Sequence, residues 1–207
     1  MIEYLFKLLQ VNSAMPPILA DDEYEDTTFE EANYSDEDLS EKNFYQCVFE
    51  KCSFQFANLQ FSSFEKCTFR HCNLTLANIR GARFFDTRFS GSKLLGLNWG
   101  GGSGVFKASF ENCILDESTF SDMNLQRYIF RDSRFKGSTF ANTNLSHAKF
   151  LDCDLEDCRF HNTTLHKTDF STARNYFINA ESNKISGAIF SLPEAISLLK
   201  NFDIKIV

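Results

Sequence analysis

The stretch STFANTNLSHAKFLDCDLEDCRF, residues 138–160, places Phe140, Leu145, Phe150, Leu155 and Phe160 five residues apart. Ser138, Thr143, Ala148, Cys153 and Cys158 each stand two residues before one of them. An amphipathic helix repeats at about 3.6 residues and a half-buried strand at about 2, so a sustained step of five matches neither. The backbone must bend once per repeat.

The step runs through most of the chain. It begins Phe29, Tyr34, Leu39, Phe44, Phe49, Phe54 and continues to Leu94 and Trp99; after the glycine-rich segment 100–104 it resumes, one residue out of phase, from Phe110 to Phe170. Calling the large residue i, position i−2 from Ala57 to Thr87 and from Cys113 to Thr168 is Ala, Cys, Ser or Thr, with Met123 and Tyr128 as exceptions. In an extended segment i−2 and i share a face. If that face points into a narrow interior one of the two must be small, while the other positions stay polar and form turns.

Extended pieces and turns that alternate without helices wind the chain into a coil whose rungs pair with those above and below, and each rung hides its apolar side only when neighbours stack on it. Four repeats per coil put stacked positions twenty residues apart. At ~4.8 Å per rung, seven coils make a rod ~34 Å long. Sandwiches and barrels need longer strands with hairpin signals between them, and the turn recurs too often here for either. Burying each Phe or Leu contributes roughly 1.5–3 kcal/mol before entropy is subtracted, so a charge at position i is expected to destabilise the rod.

The seven cysteines, Cys47, Cys52, Cys67, Cys72, Cys113, Cys153 and Cys158, all fall at i−2. The first four have a spacing that resembles a metal site, but the coil makes each an inward-facing small residue, with Cys47 over Cys67 and Cys52 over Cys72. Their odd number and buried register favour a reducing compartment, the cytoplasm. His71, His147, His161 and His166 fall at outward positions with no nucleophile motif, and GGGSG lacks the lysine of a phosphate loop. The sequence therefore points to no catalytic residue, cofactor or metal. No apolar run approaches the roughly 18 residues of a membrane span, and MIEYLFKLLQVNSAMPP carries Glu3 where a signal peptide has a basic start.

The net charge of −7 is unevenly spread. Residues 21–41 hold Asp21, Asp22, Glu23, Glu25, Asp26, Glu30, Glu31, Asp36, Glu37, Asp38 and Glu41 and no base, whereas residues 42–107 hold nine Lys or Arg against Glu50, Glu65 and Asp86. In the second array Asp132 with Asp152, and Asp116 with Glu156, are expected on two adjacent faces. Acidic runs of this kind serve as surfaces for basic partners, and the overall sign disfavours direct nucleic-acid binding. At the far end SLPEAISLLKNF reads as a short helix with Ser191 and Glu194 as a capping box, and FDIKIV as a strand with Phe202, Ile204 and Ile206 on one side. An open coil end needs a cap. Ile196, Leu198, Leu199, Phe202, Ile204 and Ile206 exceed what a cap requires and are expected to join a second copy.

The unit seen in ANLQF, CNLTL, STFAN and TNLSH resembles the pentapeptide-repeat family over residues 27–172, which implies a right-handed quadrilateral β-helix. KLLGLNWGGG and the C-terminal ARNYFINAESNKISGAIFSLPEAISLLKNFDIKIV are similar to Qnr-type quinolone-resistance and albicidin- and microcin-immunity proteins. That resemblance implies a bacterial cytoplasmic homodimer, joined through its C-terminal ends, that engages DNA gyrase or topoisomerase IV as a DNA mimic and relieves its poisoning; a scaffold for another protein is the alternative. A rod of ~34 Å replacing DNA would need about twenty negative charges. Docking is thus expected through Asp36, Glu37, Asp38 and Glu41, the loop Trp99, Gly100, Gly101, Gly102, Ser103 and Gly104, and Asp116, Asp132, Asp152 and Glu156. The organisation expected is a leader and acidic segment (1–26), a first array (27–99), a glycine-rich phase break (100–107), a second array (108–190) and a C-terminal helix and strand (191–207).

Overall fold

The computed structural model describes residue 19 and residues 21–101 and 106–202. The chain is a parallel β-solenoid with almost no helix. Its strands are β1 Glu23–Glu25, β2 Thr28–Glu30, β3 Asn43–Tyr45, β4 Val48–Glu50, β5 Ser63–Glu65, β6 Thr68–Arg70, β7 Arg83–Ser90, β8 Lys107–Glu111, β9 Ile129–Arg131, β10 Thr139–Ala141, β11 Lys149–Leu151 and β12 Arg159–His161. Every pairing is parallel, and Phe44 lies opposite Phe64 and Phe49 opposite Phe69, twenty residues on. The offset exceeds twenty only across the phase break: it is twenty-two where Phe85 pairs with Lys107 and twenty-one where Thr87 pairs with Ala108, Lys93 with Ile114 and Asn98 with Thr119. The register shifts by one residue at a bulge between Phe85 and Thr87, and a 3₁₀ turn over Trp99–Gly101 ends the first array.

Four columns of large side chains fill the axis, and we number the sides of the coil by them. The first side is headed by Tyr24, the second by Phe29, the third by Tyr34 and the fourth by Leu39, all buried or packed against the core. The second column is an uninterrupted aromatic stack: Phe29, Phe49, Phe69, Phe89, Phe110, Phe130, Phe150, Phe170 and Phe190, each ring nearly parallel to the next at 4.7–6.0 Å. Tyr24 stacks on Phe44 at 5.3 Å, so the coil already includes β1 inside the acidic segment.

The small residue at i−2 does more than leave room. The thiols of Cys52, Cys67 and Cys72 donate to the carbonyls of Phe29, Phe44 and Phe49 in the preceding coil, at 3.3, 3.3 and 3.2 Å. Thr87, Ser138 and Thr143 do the same with their hydroxyls toward Phe64, Leu115 and Phe120. A short donor side chain suits this position, which explains why Cys, Ser and Thr interchange there.

The bend is made at i+2. Residues there adopt left-handed backbone conformations in coil after coil, among them Asp36, Lys51, Phe56, Phe61, His71, Leu76, Asp132 and Asp152. The β-turn closes at several repeats, on the third and fourth sides in the first array and chiefly on the first and third in the second, as in Ala57 N–H to the Phe54 carbonyl (3.1 Å) with Phe56 left-handed, the pattern of a type II turn. The bent residue then donates its N–H to the next coil, Phe56 to Thr75 and Phe61 to Arg80.

The C-terminal helix is a 3₁₀ helix over Glu194–Phe202. The strand expected over 202–207 falls, beyond Phe202, outside the described residues, as do 1–18 of the expected leader.

All seven cysteines are free and buried, and burial pushes the Cys113 thiol up to about 11 and Cys153 up to about 12. Hydrogen bonds with Cys67 and Cys72 shift the Cys47 and Cys52 thiols the other way, downward, so it is burial that must protect these two. Since a reagent needs access as well as the reactive thiolate, native protein at pH 8 is expected to take up no iodoacetamide, whereas protein in guanidinium takes it up at all seven; mass spectrometry counts the adducts. Phe130→Ala, which breaks the aromatic stack at its middle, is expected to cost about 3–5 kcal/mol in a denaturant titration.

Candidate protein-binding surface

The core occupies i and i−2 of each repeat, so the outer surface consists of i−1, i+1 and the bent residue i+2. Positions twenty residues apart stack about one strand spacing from each other, ~4.8 Å. Charge on the surface is thus read along columns that linear sequence does not display.

The acidic segment wraps one whole coil, and its eleven carboxylates are all exposed. Asp22 pairs with Lys42 at 3.5 Å and Glu31 with Lys51 at 3.3 Å in the next coil. Asp26 accepts from Gln46 and Asp38 from Asn58, neutral partners that leave the charge in place. Asp36, Glu37, Asp38 and Glu41 run from the third corner across the fourth side. Directly after them in the stack come Phe56 and Leu76 on the third corner and Phe61 on the fourth, 50%, 49% and 56% exposed.

The remaining sites separate into accessible and inaccessible. Asp132 and Asp152 are exposed at one corner of successive coils, the geometry expected of them. Glu156 is half-buried and pairs with Lys136 at 3.0 Å. Asp116 is 6% exposed. Arg134 Nε donates to both of its oxygens at 3.0 and 2.9 Å, its Nη2 donates to Oδ2, and the Lys136 backbone N–H adds a fourth bond. This carboxylate braces two coils and is removed from the contact surface expected of it.

Trp99 is likewise corrected. It is 3% exposed, stacks on Phe120 at 6.0 Å and presents its edges to Phe84, Phe89, Phe106 and Phe110. It fills position i of the fourth column at the widened coil, where the largest side chain closes the space left by the phase slip. Gly100 is there for a close approach, since a Cβ would come 2.3 Å from the Ser121 carbonyl oxygen. Gly101 accepts from Gly81 N–H at 3.0 Å; Gly102, Ser103 and Gly104 lie outside the described residues.

At the C-terminal end Leu192 is 79% exposed, and Ile189, Phe177, Ile196 and Leu199 also face outward. Leu198 packs against the core. The helix borders a groove of about 1130 Å³ lined by Glu117, Glu156, Asp157, Tyr176, Glu194 and Ile196 among others. Ile204 and Ile206 lie outside the described residues, and nothing is described of the Phe202 side chain. No helix among the described residues is long and apolar enough to cross a membrane, and no group of three His, Cys, Asp or Glu among them is arranged to hold a metal.

The apolar corners were missed in the sequence reading. Phe56, Phe61 and Leu76 are large residues at i+2, where the repeat otherwise carries polar residues or glycine, and that departure was the available signal.

A model of pentapeptide repeats in eight copies matches residues 52–91, and a model of the pentapeptide repeat region matches 104–174, together more than half of the chain. Among solved structures the chain is similar to HetL, a pentapeptide repeat protein involved in heterocyst differentiation regulation from the cyanobacterium Nostoc sp. strain PCC 7120. The two are 14% identical over 93% of this chain and 94% of that one, with a TM-score of 0.56. Full-length QnrB1, a plasmid-mediated fluoroquinolone resistance protein, is 18% identical over 88% and 90%, with a TM-score of 0.49. Comparison with curated protein sequences finds no match.

Replacing Arg134 with Gln leaves the buried Asp116 carboxylate with fewer donors. The expected cost is about 1–3 kcal/mol by thermal or chemical denaturation, with Asp116→Asn in the Arg134→Gln background recovering part of it.

Proposed function

Since the chain belongs to the pentapeptide-repeat family, whose coil displays side chains on outer faces rather than around a cleft, we propose that it is a non-catalytic protein-binding rod. In this reading it engages DNA gyrase or topoisomerase IV, and its acidic N-terminal coil occupies a surface made for DNA. The observation that carries the reading is the ring of eleven exposed carboxylates on a single coil. Duplex DNA carries one charge per ~1.7 Å of axis, so a rise of ~4.8 Å corresponds to roughly three phosphates. The first coil exceeds that density even after Lys42 and Lys51 are subtracted, whereas the positive middle of the rod falls far below it. Mimicry is therefore confined to the N-terminal end.

The choice of a topoisomerase rests on the resemblance of KLLGLNWGGG and the C-terminal segment to the Qnr-type and immunity proteins. The exposed apolar group at the C-terminal end, Leu192, Ile196 and Leu199 with Ile189 and Phe177, supports a second copy packed there. Two copies joined in that way carry acidic coils at both outer ends. A different protein partner is the second reading, favoured by the nine Lys and Arg of residues 42–107, which a DNA-binding cleft repels.

The test is reconstituted gyrase supercoiling with and without a fluoroquinolone or albicidin. Micromolar protein is expected to change supercoiling or restore it in the presence of the poison. The quadruple change Asp36→Asn, Glu37→Gln, Asp38→Asn and Glu41→Gln is expected to weaken that effect. No change in any condition removes the topoisomerase and leaves the second reading.

A further inference from the structure

We propose that Phe56, Phe61 and Leu76, together with Asp36, Glu37, Asp38 and Glu41 in the preceding coil, form a docking surface for a basic protein segment bearing two or three apolar side chains, such as an amphipathic Lys-rich helix. The inference rests on the reading of the molecule as a non-catalytic binding rod and identifies the side and the chemistry of what binds there.

Three observations carry it. First, among the described left-handed positions Phe56, Phe61 and Leu76 alone are apolar; the others are glycine, acidic, amide, basic or histidine. All three belong to two consecutive coils and flank the same side. Secondly, each is costly twice over. A left-handed backbone is unfavourable for a bulky side chain, and each leaves about half of its surface in water. Asn or Gly meets the same backbone requirement without either cost.

Thirdly, the coil does not need them. Phe61 lies over Gly81 and Leu76 over Gly96, which gives the apolar side chains a covering role. Yet His71 covers Gly91 and Glu117 covers Gly137 in the same manner, so a polar side chain does this job equally well. Cost without structural need points to use.

The surroundings select the occupant. Asn58, Gln60 and Asn78 make the floor between the corners neutral, the four carboxylates border it on one side, and Arg80 closes it on the other. A partner must bring apolar groups to the corners and positive charge to the acidic edge; duplex DNA brings neither. A second copy of this chain would bring its own acidic coil or its basic middle, and that alternative is separated by the test.

The probe is a fluorescent amphipathic peptide of leucine and lysine, about five helical turns long, titrated with the full chain and followed by anisotropy. The triple variant Phe56→Asn, Phe61→Asn and Leu76→Asn is expected to bind about tenfold more weakly or worse, with a melting temperature equal to or above the parent's because Asn tolerates the left-handed corner. The quadruple neutral variant at Asp36, Glu37, Asp38 and Glu41 is expected to weaken binding and flatten its salt dependence. The same peptide with glutamate in place of lysine is expected not to bind. Equal affinity of parent and triple variant overturns the proposal, as does binding of the glutamate peptide, or self-association of the parent in sedimentation that the triple variant abolishes. Peptide binding is read without a topoisomerase, so its failure leaves the gyrase reading standing, and a failed gyrase assay leaves this surface standing.

Discussion

The structure depends on a coincidence of two lengths. Parallel backbone pairing sets successive coils ~4.8 Å apart, and aromatic rings stacked in parallel offset fashion are comfortable at nearly the same separation. The second column realises both, with Phe49 over Phe69 at 4.7 Å and Phe130 over Phe150 at 4.9 Å. One phenylalanine per coil per column then satisfies the ladder and the core together. Because each coil contacts only its neighbours, an irregular coil can be inserted without disturbing the rest. The coil of twenty-one residues does so, and Phe89 still stacks on Phe110 across it.

What that coincidence costs is conformational. Four bends per coil are placed at i+2, and most of the residues there are not glycine. Each pays for a left-handed backbone, offset by an N–H donated to the next coil at about the usual distance, as with Lys51 to Arg70 and Asp132 to Leu151. The bends explain why Asp, Asn and Gly recur there, residues with short or absent side chains that accept this conformation. They also define where sequence is free to vary, since i and i−2 belong to the core.

The five-residue step, the small companion at i−2, the twenty-residue stacking and the slip at 100–104 were legible because each is a periodicity of residue size. The function of i−2 as a donor was half visible: Cys, Ser and Thr recur there, but size alone accounted for the choice until Cys72 was seen to meet the Phe49 carbonyl. Trp99 was counted as the last large residue of the first array and also expected to serve as a contact in the adjoining loop; burial at the widened coil keeps the first role and removes the second. Asp116 was read as surface because it is charged; only the register that brings Arg134 beneath it reveals an internal brace. The extra side that β1 adds to the first coil was hidden by the acidic segment, whose charges surround the packed Tyr24.

Net charge describes such a molecule poorly. At physiological ionic strength exposed charges influence one another over about 8 Å, less than two rungs of the coil at ~4.8 Å each. A partner at the N-terminal coil responds to its eleven carboxylates and to Lys42 and Lys51, and scarcely to anything beyond. Farther along, the first side of the second array presents Arg127, His147, His166, Lys167 and Lys184 without an acidic residue among its outward positions, while the third side holds Asp116, Glu117, Glu156 and Asp157 beside their bases. The overall −7 averages over neighbourhoods that do not sense each other. The solenoid thereby acts as a set of short, electrically separate surfaces on one rigid axis. A partner is selected by the coils it touches.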